Sequence, residues 1–149
     1  MQIFKTSPLP AGASLGILIV RVVAGVAFVI HGWPKITNPI AWDDSQTFPP
    51  ILLALAALSE FGGGVAWILG FLTPLASLGI ASTMGVAVWM HAMKWGHSFV
   101  VTNTTEKSYE IAAVYLAISL LLLLAGPGKL SLDRRVFGEK SRGKPPDPA

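Results

Sequence analysis

The chain of 149 residues contains no cysteine. This absence excludes disulfides, iron–sulfur clusters and thiolate zinc sites within the chain. Charged residues are scarce as well, at 13% of the sequence, whereas soluble domains carry roughly 25%. Hydrophobic residues reach 52%, so the composition indicates an integral membrane protein, and the length suffices for one domain.

The motifs of common soluble enzymes are also missing. Gly62-Gly63-Gly64 lies inside an apolar run and lacks the Lys-Ser/Thr of a phosphate-binding loop. No His-x-x-x-His or Glu-x-x-His spacing occurs, so no metal site is predicted. No arrangement of nucleophile and base is recognisable, and we expect no nucleic-acid binding.

Four apolar segments predict an all-α fold, an integral membrane four-helix bundle with antiparallel helices. A helix needs ~20 residues to cross the hydrocarbon core, and isolated strands would leave amides unpaired in lipid. The predicted helices are about 15–33, 51–72, 75–93 and 109–125. Asn103, with Glu106 three residues on, is a candidate N-cap that would lengthen the fourth helix.

The predicted transmembrane domain comprises residues 15–137, between an N-terminal segment (1–14) and a disordered, basic, Pro-rich tail (138–149). We interpret the first apolar run as a membrane helix and not as a cleaved signal peptide. Arg21 interrupts that run, and no small-residue cleavage site follows it.

The basic residues predict the orientation of the helices. An even number of crossings places both termini on one side, which carries Lys5, Lys129, Arg134, Arg135, Lys140, Arg142 and Lys144. The opposite side carries Lys35, Lys94 and Lys107. By the positive-inside rule, both termini are expected in the cytoplasm of a multi-pass protein of the inner (plasma) membrane.

The two clearest ionisable residues inside the predicted helices are Arg21 in the first and Glu60 in the second. A charge at the membrane midplane costs at least ~2.5–3.5 kcal/mol on insertion scales, so we predict that they form an intramembrane ion pair. Whether such a pair locks two helices together or belongs to a functional site stays open at this point. Glycines on the same helical faces would allow close packing: Gly25, Gly32, Gly63 and Gly64.

Further polar residues are predicted near the outer ends of the helices. The candidate outer pocket consists of His31, Lys35, His91, Tyr109 and Glu110. Such groups could hold a quinone headgroup, relay protons or bind a metal. His91 and His97 are six residues apart, a spacing that does not place them on one face of a straight helix.

The ordered set of these residues resembles the DoxX family of bacterial and archaeal membrane proteins. The resemblance rests on Arg21-x-x-x-Gly25-x-x-Phe28-x-x-His31-Gly32-x-x-Lys35, Glu60-x-x-Gly63-Gly64, Gly70, Tyr109-Glu110 and Gly126-x-Gly128-x-x-Ser131-Leu132-Asp133. It covers about Leu15 to Phe137 and implies a four-helix membrane bundle. Related proteins include a subunit of thiosulfate:quinone oxidoreductase, and others associate with detoxification or oxidative-stress partners.

The resemblance implies a quinone-linked or redox-associated membrane subunit. Whether the chain is itself an enzyme is not decided by the sequence. Without cysteine it has no covalent or cluster redox centre, so a redox role needs a bound quinone or a partner subunit. One alternative is a non-catalytic scaffold that recruits a soluble redox enzyme through the basic segment 129–144. The least supported alternative is a small transporter subunit whose pathway is formed by a homo-oligomer.

Overall fold

The structure is a computed structural model that describes residues 9–43, 47–103 and 105–137. Within these residues the fold is all-α, and the extended backbone is limited to one isolated bridge between Ser98 and Ser108. The helices are α1 (Ala11–Thr37), α2 (Pro50–Leu69), α3 (Thr73–Trp89), α4 (Glu110–Ala125) and α5 (Leu132–Phe137). A π-helical segment, Met90–Lys94, continues α3. The predicted disordered tail lies outside the described residues.

In the described part of the chain, three helices are long and apolar enough to cross a membrane: Ala11–Thr37, Pro50–Leu69 and Thr73–Lys94. The helix α4 is equally apolar but has 16 residues, which correspond to ~24 Å against a hydrocarbon core of ~30 Å. The Asn103 side chain caps a turn of the preceding loop, accepting from the Glu106 amide at 2.9 Å. It therefore does not extend α4, which begins at Glu110.

The boundaries of α2 follow from the residues at its ends. Pro50 occupies the first turn, where a missing amide hydrogen removes no helical hydrogen bond. Gly70 ends the helix with a φ of 65°, the left-handed region that favours glycine. The predicted second helix, 51–72, was therefore too long at its C-terminal end.

The helices α1 and α2 pack closely through glycines. A Cβ atom on Gly25 would lie 2.8 Å from the Gly64 carbonyl oxygen, and one on Gly64 would lie 2.8 Å from the Gly25 oxygen. Gly32 faces the backbone of Phe61 in the same way. Gly25 contacts Gly64 and Ile68, whereas Gly32, further along α1, contacts the earlier residue Phe61 of α2. The two helices therefore run in opposite directions, and these contacts show which residues of α1 and α2 lie side by side.

A small aromatic and aliphatic core joins the helices. Phe28 and Trp67 pack edge to face with ring centroids 5.6 Å apart, and Ile80 of α3 and Leu122 of α4 complete the cluster. The indole Nε1–H of Trp67 donates to the Ser77 hydroxyl at 3.0 Å. The buried indole therefore has a hydrogen-bond partner inside an apolar core, as a buried polar group requires.

Candidate functional site

Arg21 is buried at 1% exposure and binds backbone carbonyl oxygens. Its Nε donates to Trp67 O at 2.8 Å and one terminal nitrogen donates to Pro127 O at 2.6 Å. Longer bonds reach Leu130 O at 3.1 Å and Ile68 O at 3.3 Å. The five-donor guanidinium thus joins the end of α2 to the segment that follows α4.

The predicted Arg21–Glu60 ion pair does not form in the described structure. The register between α1 and α2 places Arg21 level with Trp67 and Ile68. Glu60 precedes Trp67 by seven residues, about 10 Å along the helix axis. The two charges therefore lie at different depths, and each has other partners.

Glu60 pairs with Lys35 instead. The Lys35 ammonium donates to both carboxylate oxygens, at 2.6 and 2.7 Å, and the side chains of Lys35 and Glu60 are 26% and 4% exposed. Lys35 also lies over the ring of Trp42, 4.6 Å from its centroid. The Trp42 indole donates to Leu53 O at 3.0 Å, which ties the loop after α1 to α2.

An open cavity of about 1080 Å³ lies between α2 and α3, and this ion pair forms part of its wall. Its walls are mostly aliphatic, and flanking leucines such as Leu55 and Leu78 are more than half exposed. Lys35, Glu60 and Trp42 line it together with His91 and Trp95 of the third apolar segment. We call this cavity the α2–α3 groove.

His91 contacts His97, although the sequence spacing argued against a shared face. Their Nδ1 atoms are 2.9 Å apart, and the His97 amide donates to His91 O at 2.9 Å. The contact forms because the helix ends in the π-helical turn and the chain reverses at Gly96, whose φ is 64°. π-helical turns are frequent at functional sites.

The other members of the predicted outer pocket lie elsewhere. His31 is exposed on α1, and Glu110 is exposed at the start of α4. The Tyr109 ring packs against Phe99 at a centroid distance of 5.3 Å. The structure therefore brings Lys35, Glu60 and His91 to one groove and leaves three predicted residues outside its lining.

Sequence reasoning missed the role of Asp133 as a cap. Its carboxylate accepts from the Leu72 amide at 2.6 Å and from the Thr73 amide at 2.8 Å, so it caps the start of α3. The Asp133 amide donates to Gly70 O at 2.8 Å. The negative charge of its carboxylate also interacts electrostatically with the positive charge of Arg21. An acidic residue shortly after the Gly126-Pro127-Gly128 helix stop was the available signal.

Among the residues that the structure describes, no group of three or more His, Asp or Glu side chains is placed to hold a metal ion. The site is a mostly apolar groove whose lining includes a neutralised ion pair, Lys35–Glu60, and one imidazole, His91. Such a groove is suited to an amphiphilic molecule from the membrane.

Three apolar helices of spanning length, with buried charges held by internal partners, define a multi-pass membrane protein. The DoxX family profile matches residues 16–93, from α1 to the π-helical end of α3. Two relatives from Escherichia coli (strain K12) are similar over 80% of this chain. Inner membrane protein YqjF is 30% identical over 123 residues, 91% of its length. Inner membrane protein YphA is 33% identical over 133 residues, 89% of its length.

No solved structure matches the chain significantly. The chain belongs to the DoxX family and is an inner-membrane protein. The predicted resemblance is thereby confirmed.

Proposed function

We propose that this protein binds a membrane quinone in the α2–α3 groove and acts as a quinone-linked subunit of a redox system. The observation that carries the proposal is the groove itself, which has mostly apolar walls and a single buried ion pair, Lys35–Glu60, in its lining. A quinone has the matching build, an apolar tail and a head with two carbonyl oxygens. Open sides flanked by exposed leucines give such a molecule access from the lipid.

The Lys35–Glu60 pair favours an uncharged headgroup. Each charge is already neutralised by the other, so an anionic head would compete with Glu60 and a cationic head with Lys35. Lys35 has three N–H donors, of which two engage the carboxylate oxygens. We propose that the remaining donor binds a carbonyl oxygen of the headgroup.

Electrons must come from outside this chain, because it has no cysteine for a thiol or cluster centre. A partner subunit or a soluble redox enzyme would supply or remove them. In this proposal the transmembrane domain, residues 15–137, binds and orients the quinone, and the chemistry takes place in the complex.

We further propose four antiparallel crossings with both termini in the cytoplasm. The helix α4 starts beside the end of the third apolar segment, where the Tyr109 amide donates to Ser98 O. It ends near the start of that segment, where Pro127 O binds Arg21. The α4 helix therefore runs along the full length of α3 despite its 16 residues.

Quinone binding is tested with the protein in lipid nanodiscs, by titration with a short-tailed 1,4-benzoquinone and quenching of tryptophan fluorescence. We expect saturable binding by the native chain and by H31N, whose side chain lies outside the groove. The double variant K35M/E60Q removes both charges together and should bind much more weakly while remaining folded. Absence of saturable binding by the native chain would refute the proposed function.

The scaffold function is a second proposal, and it has one supporting observation. Arg134 and Arg135 are exposed on α5, next to the basic tail. Exposed arginines recognise carboxylates or phosphates of a partner. Substituting both residues by glutamine should release a co-purifying soluble partner without changing quinone binding.

A further inference from the structure

Leu72 has an unusual backbone conformation where it lines the α2–α3 groove. Its φ is 50°, and among the residues that the structure describes no other non-glycine residue has a positive φ. This left-handed region disfavours a non-glycine residue by a factor of roughly 5–30. Leu72 directly precedes α3 and belongs to the lining of the groove. Such a conformation persists only where the surrounding structure holds it.

The carboxylate of Asp133 holds this turn. One of its oxygens accepts from the Leu72 amide at 2.6 Å and the other from the Thr73 amide at 2.8 Å. In return, the Asp133 amide donates to Gly70 O at 2.8 Å. Hydrogen bonds to an ionised acceptor are stronger than those between neutral groups, so these bonds offset the unfavourable conformation of Leu72.

The segment that carries Asp133 is fixed from inside the molecule. Asp133 is 1% exposed, and Arg21 of α1 donates to the carbonyl oxygens of Pro127 and Leu130. The Ser131 hydroxyl donates to Gly128 O at 2.9 Å and closes the turn between them. The carboxylate therefore approaches Leu72 from a rigid support, as the precise positioning of a site requires.

We infer that Asp133 is a positioning residue of the α2–α3 groove, because it holds Leu72 in the left-handed conformation and so fixes the groove wall at the start of α3. The inference rests on the proposed function and adds a coupling to it. A quinone in the groove and the docked segment 127–133 stabilise each other, since the linkage between two equilibria is reciprocal. Release of the segment would let Leu72 leave the groove wall and would weaken quinone binding.

Substitutions at Leu72 separate the role of its conformation from that of its apolar side chain. L72I keeps the apolar volume, but a β-branched residue is a genuine outlier at positive φ. L72G removes the side chain and adopts this φ without strain. In nanodiscs, we expect L72G to bind a short-tailed 1,4-benzoquinone within about twofold of the native affinity and L72I to bind about fivefold more weakly. The reverse order would show that Leu72 acts only as an apolar wall and would overturn the inference.

Hydrogen exchange at the amides of Leu72 and Thr73 follows the turn without any ligand. In D133A, loss of the two acceptors should speed exchange at both amides about tenfold or more. L72I should also exchange faster, whereas L72G should stay protected. V136A is the control, because Val136 is exposed on the same short helix as Asp133. The Leu72 variants keep the carboxylate in place, so they test the inference even if D133A does not fold.

Quinone affinity of D133A completes the test, with binding expected to be about fivefold weaker than in the native chain. Faster amide exchange in D133A with unchanged quinone affinity would overturn the inference and leave the proposed function standing. Unchanged exchange in D133A would overturn it as well, because Asp133 would then not hold the turn. Absence of saturable quinone binding by the native chain is the separate result that refutes the proposed function.

Discussion

At the scale of single residues, the two buried basic side chains are neutralised in different ways. Arg21 binds carbonyl oxygens of two chain segments, the end of α2 and residues 127–130, whereas Lys35 faces one carboxylate. The planar guanidinium can bind several acceptors at once, and the ammonium acts as a compact charge. Arg21 is therefore suited to joining helices, and the Lys35–Glu60 pair is suited to a site where a ligand can approach.

The Lys35–Glu60 pair gives a test by double-mutant cycle. E60Q leaves the Lys35 ammonium without its counter-charge and should cost roughly 1–3 kcal/mol of unfolding free energy. K35M should cost a similar amount, since Glu60 is then buried alone. K35M/E60Q should lie closer to the native chain than the sum of the single changes. Reversible unfolding in detergent by SDS, followed by tryptophan fluorescence, measures this coupling, and strictly additive effects would argue against it.

Side-chain partners were harder to predict than helices. The apolar runs predicted the helices α1 to α4, because lipid permits few other structures for them. Every residue has a backbone carbonyl, so the sequence does not indicate which carbonyl oxygens Arg21 binds. The prediction therefore paired Arg21 with Glu60, the acidic residue furthest inside a predicted helix. The contact between His91 and His97 depends on a π-helical turn and on the positive φ of Gly96. Neither feature follows from apolar periodicity, which describes only straight helices.

At the scale of the elements, the contact between α1 and α2 depends on the absence of side chains. A Cβ on Gly64 would come within 2.8 Å of two backbone atoms, the Gly25 oxygen and the Val29 nitrogen. Backbone atoms cannot move aside as a flexible side chain can. The glycines therefore determine how closely α1 and α2 approach each other. This close approach brings Lys35 of α1 next to Glu60 of α2.

Substitution of these glycines should separate packing from helix propensity. G64A should push α1 and α2 apart and lower the unfolding free energy by roughly 1–3 kcal/mol. G85A is the matched control in α3, because a Cβ there meets no atom within 4 Å. It should be neutral or stabilising by up to about 1 kcal/mol, the usual gain from alanine inside a helix. The same SDS titration measures both, and equal stability of the two variants would contradict the packing role.

At the scale of the whole molecule, the distribution of exposed polar residues gives the protein two distinct ends. One end has Lys129, Arg134 and Arg135 around the start of α1 and the turn between α2 and α3. The other end has Lys35, Lys94 and the histidine pair. The proposed orientation places the first end in the cytoplasm, so Lys94 and the histidine pair would face the outer side of the membrane.

The absence of native cysteine makes this orientation directly testable. Single cysteines replace Lys129 at one end and Thr102 at the other, both exposed. A membrane-impermeant maleimide applied to cells with a permeabilised outer membrane should label T102C and not K129C. Inverted membrane vesicles should show the reverse pattern. Labelling of both positions from the same side would exclude the proposed number of crossings.

The hydrogen bond between Arg21 and Pro127 also has a consequence for biosynthesis. The two residues are 106 positions apart, and translation proceeds at about 5–20 residues per second. Arg21 is therefore synthesised roughly 5–20 seconds before this carbonyl acceptor. During that interval the guanidinium needs a temporary environment, such as the insertion machinery or water at the membrane surface. A chain that ends before residue 127 lacks this acceptor, so Arg21 would keep only its bonds to the end of α2.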